Sequence, residues 1–236
     1  SASLYQILIT DYAWSKARSI MGYSVPIGHP LMVMLAGQPF VDTRLSFHSY
    51  MPNDLSPVIA EKLVSSWVDC LKNSPELHDK IEFEVAITTY SFDINEKIER
   101  LIGNVLTKDE KKEFRQAHLQ QTMQLIKGGG DGSIAQALDK INLLNKKNKQ
   151  RYSKNSYSGI SSLFTMVEDC IQLGTIPFSI LARHGFIAKT ILLSLARIGV
   201  IDSSAINQIQ SSVQTIASDL VVDMHLLKMG ELSNYD

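Results

Sequence analysis

The chain has few cysteines, almost no net charge and few of the motifs that identify common enzymes. Only two of its 236 residues are cysteine, Cys70 and Cys170, which argues against a disulfide scaffold and a zinc site. We therefore expect a reduced, cytoplasmic setting. The net charge of -1 argues against a surface dedicated to nucleic acid, because such surfaces usually carry a basic excess.

Long apolar runs are also missing. No run approaches the roughly 20 residues that a membrane span needs. The most apolar stretch, 187–200, is interrupted by Lys189 and Arg197 and is typical of a buried helix. The chain begins Ser-Ala-Ser without an initiator methionine, as a fragment would, and no signal peptide is visible. We expect no membrane partner.

Several catalytic motifs are absent from the sequence. It contains no Gly-x-Ser-x-Gly elbow, no His-Glu-x-x-His pair and no dinucleotide fingerprint. The glycine cluster at 128–132 is not followed by the Lys-Ser or Lys-Thr of a phosphate loop and indicates a flexible connection. The six histidines show no metal-ligand spacing on a helix. We therefore expect no metal site in this chain.

What is present indicates a folded, mostly helical protein. Apolar residues make up 44 % and charged residues 20 %, as in globular proteins. Apolar spacings of three and four predict many helices, and we expect an α+β fold, mostly helical with a small antiparallel or mixed β-sheet, in a single domain over 1–236. The predicted helices cover 4–21, 57–71, 94–102, 107–126, 161–173, 178–183, 186–198 and about 202–227.

Residues 37–52 form the stretch with the densest chemistry. Alternating parity predicts a strand with Val41, Leu45 and Phe47 on one face, after a first strand over 31–36. The other face would carry an acid, a guanidinium, a hydroxyl and an imidazole: Asp42, Arg44, Ser46 and His48. We interpret His48 as the candidate acid, base or phosphate contact. The alternative is a strand whose polar face is merely solvated.

A second strand is predicted over 81–87, with apolar residues on one face and Glu82 and Glu84 on the other. If the two strands share a sheet, Arg44 and these carboxylates face one cleft. Arginine binds a carboxylate through two hydrogen bonds and an acid binds an ammonium, so the cleft would suit a zwitterion. It equally suits cross-strand ion pairs that neutralise each other.

Three segments resemble one protein family. They are Gly37 to Phe47 (GQPFVDTRLSF), His78 to Glu84 (HDKIEFE) and Leu181 to Ala188 (LARHGFIA). Together they are similar to the middle region of the phosphoenolpyruvate-synthase-like proteins found in bacterial capsule and surface-polysaccharide clusters. In that family an ATP-grasp domain precedes this region and a swivelling phosphohistidine domain follows it. The resemblance therefore implies an excised central domain.

The resemblance also implies an activity for the parent enzyme. That enzyme would use ATP and Mg, bound outside this chain, to load phosphate on a mobile histidine, releasing AMP and phosphate. The phosphoryl group would then pass to the side-chain amide nitrogen of L-glutamine, giving L-glutamine phosphate for capsular phosphoramidate. This chain would bind L-glutamine and is expected to be inactive on its own. The transferring histidine is expected in another domain.

The resemblance supplies positions for the site. Arg44 would hold the α-carboxylate of glutamine, and Glu82 or Glu84 its α-ammonium. Ser46 and His48 would orient the amide or contact the phosphoryl group. The remaining substrate-binding candidates in the similar segments are Asp42, Arg183 and His184.

Two alternatives stay open at this point. The acceptor could be pyruvate or another small carboxylate, which lacks an ammonium, so an unpaired acid in the cleft would favour an amino acid. The chain could instead be a non-catalytic docking domain that uses the basic segment 140–154 and the apolar face of the last helix. Scattering of Arg44, Glu82 and His48 over separate surfaces would favour docking.

Overall fold

Helices form most of the chain, and the only sheet among the described residues is a two-stranded antiparallel hairpin. The structure is a computed structural model that describes residues 2–25, 28–154, 160–213 and 216–229. The expected α+β class is confirmed. The elements are α1 (Ala2–Tyr5), α2 (Ala13–Ile20), β1 (Met32–Leu35), β2 (Gln38–Val41), α3 (Thr43–His48), α4 (Pro57–Asn73), α5 (Ile94–Ile102), α6 (Lys108–Ile126), α7 (Ser133–Lys154), α8 (Ile160–Cys170), α9 (Ile176–Arg197), α10 (Ser203–Ser211) and α11 (Ile216–Met229).

The hairpin confirms the first predicted strand, which is observed as β1. β1 and β2 pair from Met32 opposite Val41 to Leu35 opposite Gln38. Ala36 and Gly37 form the connection, with φ of 50° and 77°. Positive φ at both central residues is the requirement of the type I′ turn, which matches the twist of the two strands.

The predicted strand over 41–48 is wrong. β2 ends at Val41, and the chemically dense stretch forms helix α3 instead. An oxygen of the Asp42 carboxylate accepts hydrogen bonds from the backbone N–H of Arg44 at 2.9 Å and of Leu45 at 3.2 Å. This N-cap satisfies helix donors that a strand would leave open, so the local bonds outweigh the alternating pattern. The four polar side chains consequently do not share one strand face.

Because Asp42 caps α3, its replacement tests the helix. We expect Asp42→Ala to lower the free energy of unfolding by about 1 kcal/mol, since two backbone donors lose their acceptor. Asp42→Asn keeps a capping oxygen and should stay within a few tenths of a kcal/mol of the wild type. Urea titrations of the three proteins give the comparison. An equal loss of unfolding free energy in the alanine and asparagine variants would contradict a capping role for Asp42.

The second predicted strand is also wrong. Residues Ile81–Val85 form a π-helical turn, and extended backbone begins only at Ala86. A turn presents side chains around an axis, so Glu82 and Glu84 diverge instead of sharing a face. The gap between the helices predicted over 178–183 and 186–198 is likewise absent, because α9 runs through both ranges without interruption.

Other helix predictions hold closely. Helices expected over 57–71, 94–102 and 107–126 are observed as α4, α5 and α6. The capping box between Thr107 and Glu110 is present in both directions. The single last helix is instead α10 followed by α11, with 214–215 outside the described residues.

Contacts divide the chain into two compact units, Ser1–Ile191 and Leu192–Asp236. The single domain over 1–236 stays a prediction. In the first unit the apolar residues form two clusters. One cluster surrounds Trp67 and Phe114 on α4 and α6, and the other surrounds Ala17 and Ile180 on α2 and α9. Tyr50 belongs to the first cluster and Tyr23 to the second, and the guanidinium carbons of Arg18 and Arg183 lie 5.0–5.4 Å from both ring centres.

The second unit contains the end of α9 together with α10 and α11. Asp202 caps α10 by accepting a hydrogen bond from the backbone N–H of Ala205 at 2.7 Å. Along the predicted apolar stripe, Ile206 is buried while Ile209 and Met224 are about half exposed.

By length and composition alone, the helical stretch Ser162–Arg197 could cross a membrane, although no apolar run in the sequence was expected to be long enough. Core helices of soluble proteins can have the same length and apolar composition. The expectation of no membrane partner stays a prediction.

Candidate functional site

A small cavity with both apolar and charged lining groups lies in the first unit. Its volume is about 210 Å³, and we refer to it as the central cavity. Helices α2, α3 and α9 and the turn 81–85 supply its walls. The lining residues are Trp14, Ala17, Arg18, Met21, Leu31, Ser46, Ser49, Glu82, Phe178, Ser179, Ala182, Arg183 and Phe186. Two guanidinium groups and one carboxylate therefore line a space of metabolite size.

Arg183 is the most buried charged side chain at this cavity, with 2 % of its surface exposed. Its Nε donates to the Tyr23 hydroxyl at 2.9 Å, and its Nη2 donates to the carbonyl of Thr88 at 2.6 Å. Its Nη1 donates to the Glu82 carboxylate in a buried ion pair. All three guanidinium nitrogens thus bind protein atoms, and this arginine holds the wall of the cavity together.

Glu82 is occupied by the same network. Besides Arg183, its carboxylate accepts hydrogen bonds from the Tyr50 hydroxyl at 3.2 Å and the Thr88 hydroxyl at 3.5 Å. Burial and the neighbouring Glu82 charge raise the pKa of Tyr50 to about 12, so its phenol stays protonated and donates. The acid that the sequence placed in the cleft is therefore already paired.

Arg18 differs from Arg183 in having a donor left over. Its Nη1 is buried and has no hydrogen-bond partner. Its guanidinium carbon lies 5.4 Å from the Tyr23 ring centre and 5.0 Å from that of Tyr50, within cation–π range. Burial, followed by repulsion from Arg183, lowers the pKa of Arg18 below its ordinary value. The side chain is thus held as a cation whose charge nothing in the cavity fully compensates.

The charges of the cavity do not balance. Arg18 and Arg183 are cationic and Glu82 is anionic, so the ionised lining groups carry a net charge of +1. A buried site with an excess cation and a free donor favours an anionic ligand group. Carboxylate and phosphate oxygens match the planar donors of a guanidinium best. The lining chemistry of the central cavity therefore favours an anionic ligand group over a cationic one.

Three of the predicted site residues meet at this cavity. Ser46, Glu82 and Arg183 all line it, although they come from α3, the turn 81–85 and α9. Arg183 donates structurally instead of remaining free for substrate. The convergence follows from packing and not from the predicted pair of strands.

The other predicted residues lie elsewhere. Arg44 and His48 line a separate groove of about 250 Å³ between α3 and α4, where His48 Nδ1 is buried without a partner. Glu84 forms an exposed ion pair with Arg100 at 3.2 Å. Asp42 is the N-cap described above. Arg44, Glu82 and His48 are thus divided between two surfaces, the arrangement expected to favour a docking role.

His184 points away from its neighbour Arg183. One of its ring nitrogens is hydrogen-bonded to the Ser133 hydroxyl at 2.8 Å, which ties α9 to the start of α7. Burial, followed by the Arg183 charge, lowers the pKa of His184. Its contact is structural, and it does not line the central cavity.

The basic segment 140–154 is partly explained by intramolecular pairing. Lys147 Nζ lies 2.6 Å from a carboxylate oxygen of Asp169, and Arg151 binds the other oxygen of the same group. Asp169 is buried on α8, so two cations of α7 neutralise it. These contacts assign a structural role to part of the segment.

A larger cavity of about 620 Å³ has Tyr23 among its lining residues. Its ionisable lining groups include Asp11, Lys16 and His29, which nearly offset one another in charge. No unpartnered buried donor is found there among the described residues. The central cavity therefore carries the stronger chemical signal despite its smaller volume.

Arg18 is the functional candidate that sequence reasoning missed. It lies in the helix predicted over 4–21, whose apolar spacing indicated buried residues but did not single out an arginine. Its distance in sequence from Glu82 and Arg183 gave no signal of proximity. An arginine one position after a buried alanine could have been noted as lying at the edge of the buried face.

Among the described residues, no group of three histidine, cysteine, aspartate or glutamate side chains is placed to hold a metal ion. Comparisons of the chain with protein-family models, with curated proteins and with solved structures found no match.

Proposed function

We propose that this chain is the acceptor-binding part of an ATP-dependent phosphotransferase, and that the acceptor binds in the central cavity through Arg18. The observation that supports this is the buried Nη1 of Arg18, which has no partner in the protein. Buried donors are almost always satisfied, so a ligand oxygen is the natural acceptor here. The two tyrosine rings and Arg183 hold the wall around it before ligand arrives.

L-Glutamine is the first acceptor that we propose, on the strength of the family resemblance. Its α-carboxylate would bind Arg18, which takes the role expected of Arg44. The Ser46 and Ser49 hydroxyls line the same cavity and supply further polar contacts. The amide nitrogen would then receive a phosphoryl group from a phosphohistidine on another domain, where ATP and Mg are also bound. Catalysis in this chain would consist of positioning and charge stabilisation.

A small carboxylate without an ammonium, such as pyruvate, is the second candidate. One observation favours it: Glu82 already binds Arg183, Tyr50 and Thr88, so the cavity offers no unpaired acid to an ammonium. A singly charged carboxylate would also neutralise the net charge of +1, whereas a zwitterion would leave it unchanged. The two acceptors therefore differ in a way that binding measurements can resolve.

We expect Arg18→Met to weaken binding of the acceptor roughly 10- to 100-fold, because a charge-assisted hydrogen bond contributes about 1.5–3 kcal/mol. The same change removes a desolvated cation next to Arg183, so the free energy of unfolding should not fall. Isothermal titration calorimetry with L-glutamine, L-glutamate and pyruvate measures the first effect. Urea titration measures the second.

Arg44→Met is the matched control, because Arg44 lies in the other groove. It should bind every tested acceptor like the wild type. Loss of binding in Arg44→Met with retention in Arg18→Met would contradict the assignment to the central cavity. Pyruvate binding without glutamine binding would select the second acceptor.

The docking role predicts a different outcome. It is favoured by the separation of Arg44 and His48 from Glu82. If the full-length protein releases no AMP in response to any of the three acceptors, and none of them binds this chain, docking is supported and acceptor binding is contradicted. AMP release that depends on one acceptor would identify that acceptor.

A further inference from the structure

A second charged surface lies on α6; it shares no lining residue with the central cavity and is independent of its proposed function. Lys108, Lys111, Lys112 and Arg115 follow the spacing i, i+3, i+4, i+7 and therefore share one face of the helix. Together with Asn95, Ile98 and Glu99 of α5 they line a groove of about 400 Å³, which we call the α5–α6 groove. Four cations and one carboxylate give this groove a net charge of +3, in a chain whose net charge is -1.

The cations of the groove are only partly compensated. Lys111 pairs with Glu99 at 2.8 Å, and Arg115 donates to the side-chain oxygen of Asn95 at 3.3 Å. Lys108 and Lys112 are exposed, and neither has an ion-pair or hydrogen-bond partner among the residues that the structure describes. Two ammonium groups are therefore available to an incoming anion, beside a lysine and an arginine already fixed in place.

This arrangement opposes helix stability. Lys108 and Lys112 are like charges four residues apart, as are Lys111 and Arg115, and such pairs destabilise a helix. Lys108 also lies in the first turn of α6, where the helix dipole disfavours a cation and favours its neighbours Asp109 and Glu110. Local conflicts of this kind are expected where a surface serves binding. A multivalent anion in the groove would offset both the like-charge repulsion and the unfavourable interaction of Lys108 with the helix dipole.

We propose that the α5–α6 groove binds the phosphate chain of an oligophosphate, either as a free polyphosphate or as part of a nucleotide. Phosphate oxygens accept hydrogen bonds from ammonium and guanidinium groups, and closely spaced phosphates match cations placed on successive helical turns. No aromatic side chain is among the lining residues, so the groove recognises phosphate and not a base. Its concave shape and volume fit a small ligand better than an extended acidic segment.

The test uses the full chain and sodium tripolyphosphate as probe, with binding followed by isothermal titration calorimetry. We expect saturable binding that weakens as the ionic strength rises from about 0.05 to 0.2 M. Lys108→Gln/Lys112→Gln should weaken it at least tenfold. The double variant should fold normally, because neither lysine contacts another described side chain through its ammonium group.

Two control variants test whether tripolyphosphate binds in the α5–α6 groove. Lys127→Gln/Lys146→Gln removes two exposed lysines outside the groove and should bind like the wild type. Arg18→Met should also retain tripolyphosphate binding, which separates this site from the central cavity. Equal weakening in the groove variant and the lysine control, or no saturable binding by the wild type, would overturn the proposal.

Two further titrations distinguish a free polyphosphate from a nucleotide, and a phosphate ligand from an acidic peptide. ATP and tripolyphosphate should bind with similar affinity, because the base makes no contact; a strong preference for ATP would contradict phosphate-only recognition. A glutamate-rich peptide is the competing occupant. Tighter binding of that peptide than of tripolyphosphate would overturn the assignment to phosphate.

Discussion

Replacing Arg183 by methionine is expected to lower the free energy of unfolding by about 3–5 kcal/mol, the typical effect of removing one partner from a buried ion pair. Methionine fills much of the same space, so lost packing is a minor part of the effect. The main part is the Glu82 carboxylate, which would stay buried without its cation, together with the carbonyl of Thr88. Urea titration at neutral pH measures the change.

A double variant tests whether the unpaired, buried carboxylate of Glu82 causes the loss of stability. In Arg183→Met/Glu82→Gln the uncompensated carboxylate is gone, so the double variant should be more stable than Arg183→Met alone. Arg100→Met removes the exposed partner of Glu84 and should change stability by less than about 1 kcal/mol. If Arg183→Met were no more destabilising than Arg100→Met, Arg183 would not hold a buried network.

The same replacement has a consequence for the central cavity. Arg183 orders Tyr23 and Glu82, and Tyr50 also contacts Glu82 and the Arg18 guanidinium. Removing Arg183 therefore disturbs the surroundings of Arg18 without touching its free donor. Arg183→Met should lose acceptor binding together with stability, whereas Arg18→Met should lose binding alone. This contrast separates a positioning arginine from a ligand-binding one.

The sequence predicted the helices better than the strands, for a physical reason. Repeats of three and four over ten or more residues, as in α4, define one buried face, and the capping box of Thr107 and Glu110 marks the start of α6. Residues 41–48 alternate over too short a distance to exclude a helix, and Asp42 decides the outcome through bonds to Arg44 and Leu45. A local cap can override an alternating pattern when the strand has no other strand to pair with.

Only part of the candidate site was predicted from the sequence. Ser46, Glu82 and Arg183 were named from their segments, and packing brings them together. Their roles could not be predicted, because which cation remains free depends on hydrogen-bond partners distant in sequence. Arg183 finds partners 95, 101 and 160 residues away, and Arg18 does not.

His118 should make the protein sensitive to mild acid. It is fully buried on α6 and packs against Phe114, with ring centres 4.2 Å apart and the ring planes 49° apart. Burial lowers the pKa of His118 to about 4 from its ordinary value of 6.5, and the Arg183 charge adds to this effect. A proton on the ring would place a further cation near Arg183 in the interior.

The direction of the pH dependence follows from the pKa of His118 in the unfolded chain and its lower pKa in the folded chain. Above pH 6.5 the histidine is neutral in both states and contributes no pH dependence. As the pH falls from 6.5 towards 4, the unfolded chain binds a proton that the folded chain excludes, so stability is lost. The full loss is about 3 kcal/mol, from the separation of the two pKa values. Below pH 4 both states are protonated and the loss stops growing.

The measurement is the free energy of unfolding at intervals between pH 7 and 4, for the wild type and for His118→Asn. Asparagine retains an N–H that can reach the carbonyl of Phe114, which accepts from His118 Nδ1 at 3.1 Å, but it does not titrate. The variant should be less stable at pH 7 because the smaller side chain leaves a cavity. Its stability should nevertheless fall less steeply with acid, so the two curves approach each other near pH 4. Parallel curves would show that His118 does not govern the acid response, and His184→Asn, which removes the other histidine whose pKa burial lowers, would then be the variant to compare.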